Sequence, residues 1–165
     1  MISLLDLNYY VHENISTPGE VLNIQKASAG YVHFIKDHLS IQLVKHAAFT
    51  GEITQEGVRY NFFTGRNKFW YIPIKAHRYI KKQKPDIVLV QGLIFPLQLL
   101  ALRFTLGSNT KIIVQHHGEK PFSGIKKIIQ RIAGRYITAY LFTSKGNAAE
   151  WIKEKIIPND SCANG

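Results

Sequence analysis

The chain has 165 residues, 45% of them hydrophobic, which suits one domain with its own core and excludes wholesale disorder. Its single cysteine, Cys162, forms no internal disulfide, so nothing argues for a secreted, disulfide-stapled fold. The net charge of +10 is uneven: residues 1–60 hold four Lys/Arg against six Asp/Glu, and residues 61–165 hold 17 against five. Such a field attracts nucleic acid, acidic lipid or phosphorylated small molecules, and charge alone does not choose among them.

In chain order, "MISLLDLNYYVHE" lacks a basic leader and a small-residue cleavage site, and it carries Asp6 in its apolar run. It reads as a first strand over residues 2–5, not as a signal peptide. "STPGE" is a helix start, with Thr17 as cap, Pro18 in the first turn and Glu20 completing a capping box; the helix is expected to run to about His38. A strand follows at 41–46, and residues 49–63 then read as a short hairpin around "QEG" or as two strand pieces with a Gly turn. "FWYIPIKAHRYIKK" has helical spacing, with Pro73 starting or kinking the helix.

The pattern then sharpens. "DIVLV" (86–90), "KIIVQ" (111–115) and "AYLFT" (139–143) are branched apolar runs of the kind found in parallel strands buried on both faces. A helix with Pro96 in its first turn separates the first two. The second and third are separated by an amphipathic helix capped by Ser123. Its expected apolar face is Ile125, Ile128, Ile129, Ile132 and Tyr136, and its polar face holds Lys126, Lys127, Gln130, Arg131 and Arg135. A last helix, capped by Asn147, follows the third strand; Cys162 lies outside the strand–helix pattern. The apolar run 87–102 is interrupted by Gln91, Gly92, Pro96 and Gln98 and is short for a bilayer, so a soluble, cytoplasmic protein is expected. The alternation predicts an α/β fold: a Rossmann-like parallel sheet with helices on both faces.

Ligands of open parallel sheets bind beyond the carboxyl ends of the strands. Those ends hold Gln91-Gly92, then His116-His117-Gly118-Glu119, then Ser144-Lys145, beside helix N-termini that suit phosphate, with Lys120 adding charge. The plain reading of Gln91-Gly92 and Ser144-Lys145 is a turn. Side chains alternate along a strand, so His116 and His117 face opposite sides; one can be a core histidine while the other faces a cleft. Neighbouring histidines seldom converge on one ion, so no metal is expected. GxGxxG, P-loop and Gly-x-Ser-x-Gly patterns are absent. The basic stripe Lys126, Lys127, Arg131 and Arg135 reads as a solvated face, as a face for anionic lipid, or as a track for nucleic acid.

The ordered segments "KPDIVLVQGLIFPLQLLALR", "KIIVQHHGEKPF" and "AYLFTSKGNAAEWI" resemble the N-terminal half of a GT-B glycosyltransferase, nearest to the retaining, nucleotide-sugar-dependent enzymes of family 4 (group 1). The resemblance covers residues 85–157 by motif and 1–84 by general pattern. It implies that His117 is the catalytic residue near the reacting sugar and that Glu119 and Lys120 line the acceptor side. It also implies that Ser144 faces the opposite domain. Gln91, Gly92, His116, Gly118 and Lys145 would line the same cleft. The family's first glycine-rich loop is matched only by Gly19, a departure that weakens phosphate contact there.

The resemblance further implies a Rossmann-like domain over 1–157, with 158–165 as a tail or linker and the nucleotide-binding domain outside this chain. It implies a nucleotide-sugar donor, a glycan or lipid-linked acceptor, and a role in surface polysaccharide or glycolipid synthesis. No cofactor is implied, and a peripheral place on an anionic membrane fits the basic stripe. Nucleic acid is not expected as a partner on this reading; a non-enzymatic basic module for nucleic acid or a protein is the competing one.

Overall fold

A computed structural model describes residues 1–12, 15–157 and 162–163. Its strands are β1 (Ser3–His12), β2 (Ser40–Ala47), β3 (Gly51–Gln55), β4 (Val58–Thr64), β5 (Ile87–Gln91), β6 (Lys111–His116), β7 (Ala139–Phe142) and β8 (Cys162–Ala163). Its helices are α1 (Pro18–Ala29), α2 (Val32–Ile35), α3 (Ile74–Gln83), α4 (Pro96–Leu106), α5 (Gly124–Gly134) and α6 (Lys145–Lys153). The strands form one sheet in the order β3-β4-β2-β1-β5-β6-β7-β8. All neighbours are parallel except the β3–β4 hairpin, whose turn is Glu56-Gly57 with positive φ at both residues. The α/β, Rossmann-like fold expected from the sequence is the fold observed.

Alternation along the strands builds two cores. Leu5, Leu7, Val88, Val90, Ile112 and Val114 meet Ala76 and Ile80 of α3, Leu99 and Leu102 of α4, Ala133 of α5 and Trp151 of α6. On the other face Leu4, Leu43, Tyr60 and Leu89 meet Val21 and Leu22 of α1 and Val32 of α2. The Thr17–Glu20 capping box starts α1. Pro73 precedes α3, so that helix starts at Ile74.

Several expectations are corrected. The first strand reaches His12, with a register shift between Asn8 and Val11 where Asn8 Oδ1 accepts from Tyr10 N. The helix expected to reach His38 breaks after Ala29: Gly30 is a weak helix former, and Tyr31 turns its hydroxyl to buried Asp6. Ser144, not Asn147, occupies the N-cap position of α6. Ser123 caps α5 by position but makes no side-chain cap bond. Cys162 lies in β8, beside Tyr140 of β7. Residues 158–161 and 164–165 of the expected tail lie outside the described residues.

The largest correction concerns α5. Its buried residues are Gln130, Ala133 and Gly134, and the expected core face is turned outward. Small residues explain the inversion. A Cβ on Gly134 would stand 2.5 Å from Ile156 O, so only glycine lets the helix lie this close. Gln130 is fully buried because both ends of its amide are used: Oε1 accepts from Phe122 N at 2.8 Å, and Nε2 donates to Leu93 O at 2.8 Å.

A pH effect follows from the core. Burial, and secondarily the nearby His46, lowers His77 to about 4; its Nε2 lies 2.8 Å from the Tyr9 hydroxyl. The unfolded chain takes up this proton near pH 6.5 and the folded chain only near 4. Stability is therefore whole above about 6.5 and falls as pH drops toward 4. Urea titrations should show about 2 kcal/mol less stability at pH 5 than at pH 7 from this group, and His77→Gln should flatten the slope. An unchanged slope in that variant would remove His77 as the cause.

Candidate functional site

The carboxyl ends of β1, β2, β5 and β6 enclose a cleft of about 230 Å³, lined by Asp6, Asn8, Tyr10, Lys45, Gln91, Ile94, His117 and Glu119. Two larger grooves, of about 650 and 410 Å³, lie along α5 and α6 and contain none of these residues.

The floor of the cleft is a buried polar cluster. Asp6 is 1% exposed and Lys45 4%, and Lys45 Nζ stands 3.6 Å from Asp6 Oδ1. Asp6 Oδ2 accepts from the Tyr31 hydroxyl and from Gln91 Nε2, the latter at 2.9 Å. Burial, then the adjoining Asp6 charge, pushes the Tyr31 hydroxyl well up, which keeps it a donor. The donation to Asp6 orients the Gln91 amide, so its Oε1 points at His117 and accepts from His117 Nε2 at 2.7 Å. His117 therefore carries its proton on Nε2, and Nδ1 is left as an acceptor.

Glu119 forms the second wall. Burial alone would raise its pKa, but the adjoining His116 and hydrogen bonds from backbone N–H groups, including that of His117, hold it down to about 2. The His117 N–H reaches Glu119 Oε2 at 2.8 Å. Gly92, at φ +78°, makes room for this carboxylate: a Cβ there would lie 2.6 Å from Glu119 Oε1. The loop is tied down from below, where Trp151 Nε1 donates to Glu119 O at 3.0 Å.

The two histidines fall on opposite sides of the sheet. His117 is exposed at the cleft, whereas His116 is fully buried and stacks on Phe142, with ring centroids 4.8 Å apart. His116 Nδ1 stands 3.4 Å from Glu119 Oε2, which places it beneath the carboxylate as a support.

The structure thus brings together Gln91, Gly92, His117 and Glu119, with His116 behind them. It does not bring in the rest. Gly19 is exposed in the first turn of α1, and no atom beyond its chain neighbours would meet a Cβ there within 4 Å. Lys120 lines the 410 Å³ groove with Lys127, Glu150 and Lys153. Ser144 is exposed at the start of α6, and the side chain of Lys145 lies outside the described residues. Gly118, at φ +105°, abuts α6: a Cβ there would lie 3.9 Å from Asn147 Nδ2. Lys126, Lys127, Arg131 and Arg135 lie on or beside α5, away from the cleft.

Sequence reading missed Asp6, Asn8, Lys45, Tyr10 and Tyr31 as site residues. The available signal was two opposite charges set inside apolar strands, in "SLLDLN" and "IQLVKH". Among the described residues no group of three His, Cys, Asp or Glu is placed to hold a metal ion. Chemically, the cleft offers an imidazole acceptor fixed in one tautomer, an anionic carboxylate at its side and a buried ammonium below.

No family model matches the chain, and no curated protein does. Solved structures do. The lipopolysaccharide outer core galactosyltransferase WaaB aligns with 99% of this chain and 45% of its own, at TM-score 0.63 and 14% identity. The UDP-N-acetylglucosamine 2-epimerase of Rickettsia bellii aligns with 98% of this chain and 44% of its own, at TM-score 0.60 and 15% identity. A UDP-forming α,α-trehalose-phosphate synthase of Burkholderia xenovorans aligns with 93% and 42%, at TM-score 0.55 and 11% identity. The chain spans less than half the length of each. At these identities the likeness is one of fold. The chain has the fold of one Rossmann-like half of a GT-B enzyme.

Proposed function

We propose that this chain is the acceptor-side, N-terminal domain of a nucleotide-sugar glycosyltransferase, spanning residues 1–157. A second domain would bind most of the nucleotide. The observation that carries the reading is the cleft itself: His117, held in one tautomer by Gln91 and Asp6, stands beside an ionised Glu119 at the carboxyl edge of the sheet. The fold supports it, since the neighbours named above include a galactosyltransferase and a UDP-forming synthase.

Glycosyl transfer passes through an oxocarbenium-like state as a diphosphate leaves. The acceptor hydroxyl must be held in line and lose its proton. His117 Nδ1 is the acceptor for that proton or for the hydrogen bond that precedes its loss. Glu119 orients a sugar hydroxyl and stabilises positive charge as it develops. The acceptor is a glycan or lipid-linked sugar and the setting is surface polysaccharide or glycolipid synthesis at the cytoplasmic face of a membrane. The reaction uses the nucleotide sugar as co-substrate and no other cofactor.

The test is an assay on the protein at its native length, with a panel of labelled nucleotide sugars and a glycolipid extract from the source cells. With one of them the nucleoside diphosphate should be released in proportion to the extract added, with labelled sugar appearing in it. Absence of transfer from any nucleotide sugar would contradict the reading.

A further inference from the structure

Among the described residues Lys45 is the lysine that the fold buries. A buried ammonium is costly unless it is both paired and hydrogen-bonded. Lys45 is paired with Asp6 Oδ1, but 3.6 Å is too long for a hydrogen bond, and its Nζ makes none to the described residues. Asp6 Oδ1 is equally unbonded there, because the Tyr31 hydroxyl and Gln91 Nε2 both donate to Oδ2. An ion pair that served only the fold would close this gap and use its N–H groups. Here the carboxylate holds the ammonium in place and leaves its donors unspent, on the wall of the cleft of about 230 Å³.

The sheet order says what those donors face. Lys45 belongs to β2, Asp6 to β1 and Gln91 to β5, and His117 follows β6; these strands are neighbours. The cleft is therefore a row with hydrogen-bond donors at one end and acceptors, His117 Nδ1 and the Glu119 carboxylate, at the other. A molecule with several hydroxyls suits both ends. Each hydroxyl donates and accepts, so one can take an N–H from Lys45 while another gives its proton to a hydrogen bond with Glu119. An acidic group does not suit the row. The carboxylates of Asp6 and Glu119 outnumber the one ammonium, so an added anion meets a net negative wall, although the whole chain carries +10. An amino group fails for the opposite reason, since it would meet Lys45 with like charge and no lone pair.

Resting on the sugar-transfer reading above, we propose that Lys45 determines the class of acceptor: an uncharged hexose residue, one ring hydroxyl of which accepts a hydrogen bond from Lys45 Nζ while the reacting hydroxyl lies at His117. Lys45 is a specificity-determining residue and moves no proton. A sugar without that hydroxyl leaves the ammonium buried and unbonded, which is the physical basis of its rejection. Asp6 serves both ends of the row. Its Oδ1 faces Lys45, and its Oδ2, through Gln91, orients His117. Selection of the sugar and placement of the reacting imidazole thus depend on one buried carboxylate.

The probes are the methyl glycosides of glucose, galactose and mannose, their monodeoxy analogues and the corresponding methyl uronides. They are titrated into 15N-labelled protein of native length, with the His117 ring signals as readout. At least one neutral glycoside should shift those signals, and its uronide should bind about tenfold more weakly or worse. One monodeoxy analogue of the best ligand should also lose about tenfold or more. In Asp6→Asn with Lys45→Met the parent glycoside should weaken by about the same factor, and that analogue should then bind as well as the parent. An unchanged Nε2–H signal from His117 in this variant shows that the cleft is intact. Uronides that bind as well as neutral glycosides would overturn the proposal, and that comparison needs no variant. Unchanged binding of the parent glycoside by the double variant would overturn it too, as would the absence of any shift with the neutral glycosides. The two readings fail separately. Transfer to an acidic acceptor sugar would end the role of Lys45 and leave transfer standing, whereas Lys45-dependent binding with no transfer would do the reverse.

Discussion

Replacing His117 by alanine in the native-length protein should lower sugar transfer by about a hundredfold to ten-thousandfold, the range of a lost acid–base group. The fold should be unaffected, because the ring is exposed and the hydrogen bond it makes among the described residues is to Gln91. The loss should fall on kcat more than on KM, since the proton is taken in the transition state. Gln91→Leu should act indirectly. It removes the acceptor that fixes the Nε2–H tautomer, so the His117 ring nitrogens should show a tautomer mixture by 15N NMR while the imidazole remains. Wild-type transfer by the alanine variant would end the assignment of His117. A wild-type tautomer signal in Gln91→Leu would end only the account of how it is held.

The second large effect is on stability. Lys45→Met should destabilise the fold by about 3–5 kcal/mol, because it leaves the Asp6 carboxylate buried without its counter-charge. Both residues are almost fully buried, and Asp6 Oδ1 makes no hydrogen bond among the described residues, so Lys45 at 3.6 Å is the counter-charge it has there. Adding Asp6→Asn to Lys45→Met should restore most of the loss. A neutral amide oxygen can still accept from Tyr31 and Gln91, and no unpaired charge is left behind. Urea unfolding of the two single variants and the double variant measures the coupling. Additive losses would show that the pair is not coupled.

The strands beyond residue 85 were legible because branched apolar runs have few alternatives when both faces of a sheet are covered. The capping box and the proline-led helix starts were legible because they depend on local chemistry. What could not be read depended on contacts distant in sequence. In α5 the apolar period is genuine, yet Ala133 and Gly134 decide the seating, through an approach to Ile156 that lies in another element. Periodicity says that two faces differ and does not say which is inside. The edge holding His116, His117 and Glu119 was found from strand ends. Asp6 and Lys45 were passed over because a charge in a strand gains meaning only when the register sets its partner beside it; Asn8, directly opposite Lys45, lies two residues beyond Asp6 on the same side of β1. Lys120 and Gly19 were grouped with the site by sequence order and motif position, and the fold separates them from it.

We propose that this chain forms one wall of a two-domain cleft. The most direct measurement is the mass of the native protein in its source cells, read with an antibody to this domain. The species expected is about twice 18.8 kDa or somewhat more, in keeping with the 42–45% of each solved chain that the domain covers. A native species of 18.8 kDa that acts alone would contradict it.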